Sequence, residues 1–134
     1  MKAYLAVPLV NNRDSNLAKN IVQILKDLGY EIMSEWVLWD NPNPNLDPDG
    51  IYQRDYNAIK SCDCLIADIS RPSIGVGMEI MLAKSLGKKI ICLSSDTKIS
   101  NFLKGMPGIT HIPYSNIHDL LKKLRSEITF SFKK

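Results

Sequence analysis

Residues 62–93, CDCLIADISRPSIGVGMEIMLAKSLGKKIICL, decide the fold. Cys62 to Ile69 is a short apolar run of the kind expected from a central parallel strand with both faces covered. Gly75 to Leu86 carries helical spacing and stops at Gly87, and Lys89 to Leu93 reads as another buried strand. Strand, helix and strand in succession imply a right-handed crossover within a mostly parallel sheet. The helix also opens oddly: Gly75 and Gly77, both poor helix formers, precede a carboxylate, Glu79.

The same alternation continues on either side. Ala3 to Val7 is a buried strand candidate, and Ser15 can cap a helix that places Leu17, Ile21, Ile24, Leu25 and Leu28 on one face and closes at Gly29. Tyr30 to Leu38 reads as a second strand. Asp40 to Gly50 holds three prolines among Asn and Asp residues and reads as a long loop. A helix is expected over Ile51 to Lys60, a short one near Asn101 to Lys104, a strand over Thr110 to Tyr114 and a last helix over Ile117 to Ile128 with Leu120, Leu121 and Leu124 on its apolar side. The pattern is that of one α/β domain over residues 1–134, flavodoxin-like or Rossmann-like, with a five-stranded, mostly parallel sheet and helices on both faces. Ligands bind such sheets beyond the carboxyl ends of the strands, so function is expected just after Val7, Trp36, Ile69 and Leu93.

Composition narrows the classes of partner. A chain of 134 residues, 45% hydrophobic and 23% charged, suits one soluble globular domain. The net charge of +3 comes from scattered lysines rather than one basic face, which argues against a nucleic-acid polymer as partner. No apolar run has the length of a membrane helix, and MKAYLAVPLV is too short for a signal segment, so a cytoplasmic location without membrane attachment is expected. Cys62, Cys64 and Cys92 cannot all pair and read as free core thiols. A Cys-x-Cys with two distant histidines, His111 and His118, is too few ligands for a metal site, and none is assigned.

The glycines before Glu79 admit two readings. They can bare the backbone N–H groups of a helix N-terminus to an anionic ligand, with the local field keeping Glu79 ionised, or they can merely allow close packing. An ionised carboxylate beside a sugar can attack an anomeric carbon, splitting one hard substitution into two through a glycosyl ester. Asp55, on the preceding helix, would supply the second carboxylate that glycosidic cleavage uses, or it simply pairs with Arg54. Trp36 and Trp39 could stack on a planar base, or serve the core and an interface.

Taken together, Tyr4 on the first strand, YQRDYNAIKSCDCLIADIS at residues 52–70 and RPSIGVGMEIMLAKSLGKKIICL at residues 71–93 resemble the nucleoside 2-deoxyribosyltransferase superfamily, most of all the 2′-deoxynucleoside 5′-phosphate N-hydrolases. The resemblance covers most of residues 2–93 and fades beyond. It implies Glu79 as nucleophile, Asp55 as the acid that assists base departure, and Tyr4 as the hydrogen-bond partner of the nucleophile. It further implies a phosphate contact at Ser73, close approach of the nucleotide at Gly75 and Gly77, no cofactor, and a homodimer with composite sites.

One segment departs from that pattern. The hydrolases carry Gly-Ser-Ile-Arg after the first strand, whereas this chain has Val7-Pro8-Leu9-Val10, so two phosphate ligands are missing. Arg13 could supply the charge from the loop, or lie solvated. Thr110 could replace a serine that a partner subunit contributes. The activity implied is hydrolysis of the N-glycosidic bond of a 2′-deoxynucleoside 5′-monophosphate to a free base and 2-deoxyribose 5-phosphate. Base transfer by a deoxyribosyltransferase and a non-catalytic nucleotide-binding module are the alternatives.

Overall fold

The computed structural model describes residues 1–9, 13–95 and 98–132, with side chains given as far as residue 129. Val10, Asn11 and Asn12 of the divergent segment lie outside the described residues, as do Lys133 and Lys134.

Five strands form one all-parallel sheet in the order β2-β1-β3-β4-β5: β1 (Lys2–Ala6), β2 (Glu31–Ile32), β3 (Cys64–Asp68), β4 (Lys89–Ser94) and β5 (Ile109–Pro113). The helices are α1 (Ser15–Asp27), α2 (Pro48–Ser61), α3 (Ile74–Ser85), α4 (Asn101–Gly105) and α5 (Ile117–Phe132). Helix α1 packs against α5, whereas α3 lies over β3 and β4 and meets α2, which rests on β1. Right-handed crossovers explain the two layers, because β1 to β2 runs one way along the sheet and every later step runs the other. Strand order therefore reverses between β1 and β3, where a ligand crevice belongs in this flavodoxin-like order. Central β3 is buried along its whole length, as its unbroken apolar run requires.

Four boundaries differ from the sequence expectation, each for a local reason. Strand β2 keeps only two residues, because Ser34 turns inward and its hydroxyl accepts from the Leu5 amide at 2.8 Å and donates to the Leu5 carbonyl at 2.9 Å. The chain then winds into a short 3₁₀ turn over Glu35–Leu38 instead of continuing as strand. The cap of α1 is Asp14, whose carboxylate accepts from the Leu17 amide at 2.9 Å, with Ser15 as the first helical residue. Helix α2 starts at Pro48, inside the expected loop, because proline at a first helical position has no N–H to waste and Asp47 caps it. Helix α3 starts at Ile74 on a Ser73 cap, so Gly75 and Gly77 belong to the helix rather than to the turn before it. Gly29 and Gly87 end their helices with positive φ, of 89° and 71°, as their positions suggested.

Candidate active site

The pleat of β1 points Tyr4 toward the layer of α2 and α3. Its hydroxyl donates to the Glu79 carboxylate on α3, and its ring meets the Trp36 ring edge to face, with centroids 6.1 Å apart. Burial among these groups, and the carboxylates nearby, raise the Tyr4 hydroxyl well above its ordinary value, so it stays a donor.

Glu79 is six residues past the Ser73 cap, beyond the first turn where a helix dipole acts strongly. The expectation that the dipole keeps it ionised is corrected accordingly. Burial pushes its carboxyl up to about 7, with Asp55 adding to the rise while the Tyr4 hydrogen bond and Arg54 oppose it. Asp55, partly buried on α2, is likewise raised by burial and drawn back down by Arg54. Two carboxyls that feel each other, one titrating near neutrality, thus stand close to a buried phenol.

Sequence reasoning treated Arg54 only as a possible partner for Asp55, yet its guanidinium organises this corner. Nε donates to Asp55 Oδ1 at 2.9 Å, Nη1 to the Pro42 carbonyl at 2.6 Å and Nη2 to Asn43 Oδ1 at 2.8 Å. Its plane lies over the Trp36 ring, 3.9 Å from the centroid. Trp36, 9% exposed, has one face covered by arginine and meets Tyr4 edge to face, so little of its surface is open to a base. Trp39, 47% exposed, keeps the surface a planar ligand would need.

At the mouth of α3 the chain is bare. A Cβ built on Gly75 or Gly77 meets nothing within 4 Å, so tight packing does not explain either glycine. Ser73 accepts from the Val76 amide at 3.3 Å and keeps its own hydroxyl proton for a further acceptor. Beside this terminus a cavity of about 440 Å³ runs between α3 and α4, with Arg71, Ser73, Gly77, Lys98 and Phe102 among its lining residues. Arg71, which the sequence places at the end of the third strand where a ligand should bind, does line this cavity; Lys98 was not singled out, since a lone cation in a loop gives no periodic signal.

Arg13 and Thr110 lie elsewhere. The Arg13 guanidinium donates to the carbonyls of Val37, at 2.6 Å, Trp39, at 2.5 Å, and Asp40, at 3.4 Å, and so ties the segment after β2 in place. Thr110 shares a register row with Leu5, Ile66 and Ile91, whereas Tyr4 shares one with Leu65, Ile90 and Ile109. Alternation therefore turns Thr110 to the opposite face, three strands from β1, where it accepts from Lys89 Nζ at 3.1 Å. A single chain does not bring Thr110 to the Glu79 cluster. Among the described residues no group of His, Cys, Asp and Glu side chains is arranged to hold a metal ion, and no helix is long and apolar enough to cross a membrane.

Residues 3–112 match the sequence pattern of the family described as nucleoside 2-deoxyribosyltransferase. The chain belongs to that family. Over 135 aligned positions it is 32% identical to a protein of Thermofilum pendens named "Putative 2'-deoxynucleoside 5'-phosphate N-hydrolase 1", covering 94% of each chain. It is 32% identical over 85 residues to a 5-hydroxymethyl-dUMP N-hydrolase of Danio rerio, covering 60% of this chain and 59% of the relative. Among solved structures, a CMP N-glycosidase of Clostridium botulinum superposes with a TM-score of 0.72 at 26% identity, covering 92% of this chain and 98% of the other.

Proposed function

We propose that this chain hydrolyses the N-glycosidic bond of 2′-deoxynucleoside 5′-monophosphates, releasing a free base and 2-deoxyribose 5-phosphate. N-glycosidase chemistry is what the named relatives share. The observation that carries the reading is the hydrogen bond from Tyr4 to Glu79, with Asp55 close enough to raise the Glu79 carboxyl. A module that only binds nucleotides has no use for a partly buried carboxylate held beside a second one.

In this reading ionised Glu79 attacks C1′ as the bond to the base breaks, Asp55 supports the departing base, and water then cleaves the glycosyl ester. Tyr4 holds the nucleophile in line and lowers the cost of its charge. The bare start of α3 at Gly75 and Gly77 and the Ser73 hydroxyl receive the phosphate end. A small nucleotide is the substrate, and the chemistry needs no cofactor.

One observation favours base transfer instead. Pro8 and Leu9 offer no side-chain donor, and Arg13 spends its guanidinium on backbone carbonyls, so the first loop brings no phosphate ligand from these described residues. That would suit an unphosphorylated nucleoside and a second base as acceptor.

A homodimer with composite sites is part of the same proposal. Ile74, Met78, Met81 and Phe102 are 85%, 66%, 49% and 74% exposed on α3 and α4, an apolar face that a second copy would cover, and Thr110 is the residue a partner would lend. Light scattering on the purified protein decides that point, a monomer mass removing it.

The function is tested by chromatography of products from dGMP with excess free adenine, with Glu79→Ala alongside. Guanine with deoxyribose 5-phosphate is expected. New dAMP would establish transfer, and turnover surviving in Glu79→Ala would remove the nucleophile.

A further inference from the structure

We propose that Arg54 is a positioning residue for this reaction: it fixes Asp55 through one carboxylate oxygen, leaves the other for the sugar, and ties that carboxylate to the loop at Pro42 and Asn43. The inference rests on the reading of Tyr4, Asp55 and Glu79 as the reaction machinery and adds a residue to it.

The geometry is unusual for a helix. Adjacent residues on a helix point in directions about 100° apart and do not normally face each other. For Arg54 Nε to reach Asp55 Oδ1 at 2.9 Å, the long side chain must bend back along its own helix. Its bent shape is held from outside, by the Trp36 ring at 3.9 Å, the Pro42 carbonyl at 2.6 Å and Asn43 Oδ1 at 2.8 Å. Each of the three guanidinium nitrogens therefore has a different acceptor, and one π-face is occupied as well. Among the described residues Asp55 Oδ2 makes no hydrogen bond, so the pairing is single and the second oxygen keeps its lone pairs for another donor.

A solvent-exposed ion pair would be worth little, but both side chains here are mostly buried, with 19% and 25% of their surface exposed. Removing the guanidinium would leave Asp55 without its hydrogen-bond donor. The groups that face the two carboxyls are Tyr4 from β1 and Arg54 from α2, and Arg54 is the cation that acts on all three of Tyr4, Asp55 and Glu79. A lysine could restore the charge at this place, though not the planar fork that holds Asp55, Pro42 and Asn43 at once. Position and charge can thus be separated.

The experiment compares wild type, Arg54→Lys and Arg54→Gln by pH profiles of kcat and KM on the nucleotide that wild type cleaves. Alongside, the Glu79 carboxyl is titrated by carbon-13 NMR. Expected for Arg54→Gln is an acid limb and an NMR midpoint moved upward by about one pH unit, as loss of a neighbouring cation dictates. Arg54→Lys should keep both within about half a unit yet lose roughly tenfold in plateau kcat, with KM nearly unchanged. An Arg54→Lys enzyme with wild-type plateau kcat overturns the proposal, as does an unmoved midpoint in a folded Arg54→Gln. If Arg54→Gln does not fold, the kcat and KM split of Arg54→Lys decides alone. Should wild type cleave no nucleotide, the proposed function fails, while the NMR midpoints still report whether Arg54 governs the carboxyl pair.

Discussion

The Tyr4 hydroxyl donates to the Glu79 carboxylate across a sequence separation of 75 residues, joining the first strand to the third helix at the point where strand order reverses. That contact holds a carboxyl that burial has already raised to about 7. In the proposed reaction Glu79 attacks as an anion, so kcat/KM should fall about tenfold per pH unit on the acid side of that midpoint. Tyr4→Phe removes a hydrogen bond that favours the anion, so its acid limb should move to higher pH, with activity partly recovered there. pH–rate profiles of the two proteins check this; a level profile from about pH 5 to about pH 8 in wild type would contradict it.

The raised carboxyl also predicts a stability gain. Between the ordinary value of 4.5 and about 7 the folded chain binds a proton at Glu79 that the unfolded chain has lost. Stability from this group is therefore full below the lower value and declines as pH rises through the upper one. Glu79→Gln, which cannot ionise, should escape that loss and be more stable than wild type at about pH 8, by on the order of 2 kcal/mol. The difference should vanish near the ordinary value for a glutamate. Denaturant melts at both pH values measure it, and equal stability at the higher pH would mean that Glu79 is not desolvated.

The sheet, its layers and the residues at the reversal of strand order were legible because central strands and amphipathic helices advertise themselves by periodicity. Tyr4, Asp55 and Glu79 were singled out by the resemblance of the motifs around them to the deoxyribosyltransferase family, since spacing alone left each of them open to a structural reading. What escaped was side-chain traffic that no period records. Arg54 reads as a surface helix residue beside an acid, and only the fold brings Trp36, Pro42 and Asn43 around it. Arg13 reads as a loop cation open to phosphate, and only the fold shows three carbonyls around its guanidinium. Boundaries slipped where one side chain redirected the backbone, at Ser34 after β2 and at Asp47 before α2.

In the proposed reaction Gly75 and Gly77 carry a trade between stability and binding. Neither has a neighbour that a methyl group would strike, and glycine within a helix costs roughly 0.5–1 kcal/mol against alanine. Gly77→Ala should therefore raise the thermal midpoint while raising KM for the nucleotide, because the methyl group fills the approach to the backbone. Calorimetry and steady-state kinetics on the same preparation test both halves. A more stable variant with unchanged KM would show that the ligand never comes near this turn.

Ser73 is the harder case, because its hydroxyl serves the fold and, in the proposed reaction, the substrate. As the α3 cap it accepts from the Val76 amide, and Ser73→Ala should cost about 1 kcal/mol of stability. A cap alone would weaken turnover of every substrate alike, through the population of folded enzyme or the placement of Glu79. A phosphate ligand would weaken nucleotides far more than nucleosides, since only the former lose a hydrogen bond to a charged group. Ser73→Asp separates the two roles more sharply: aspartate caps as well as serine, so the fold is kept, while its charge repels a phosphate. The expected result is near wild-type stability with kcat/KM on dGMP reduced by at least about a hundredfold and on deoxyguanosine by much less. Parallel losses on both substrates would return Ser73 to a purely structural part and leave the phosphate to be sought elsewhere along α3.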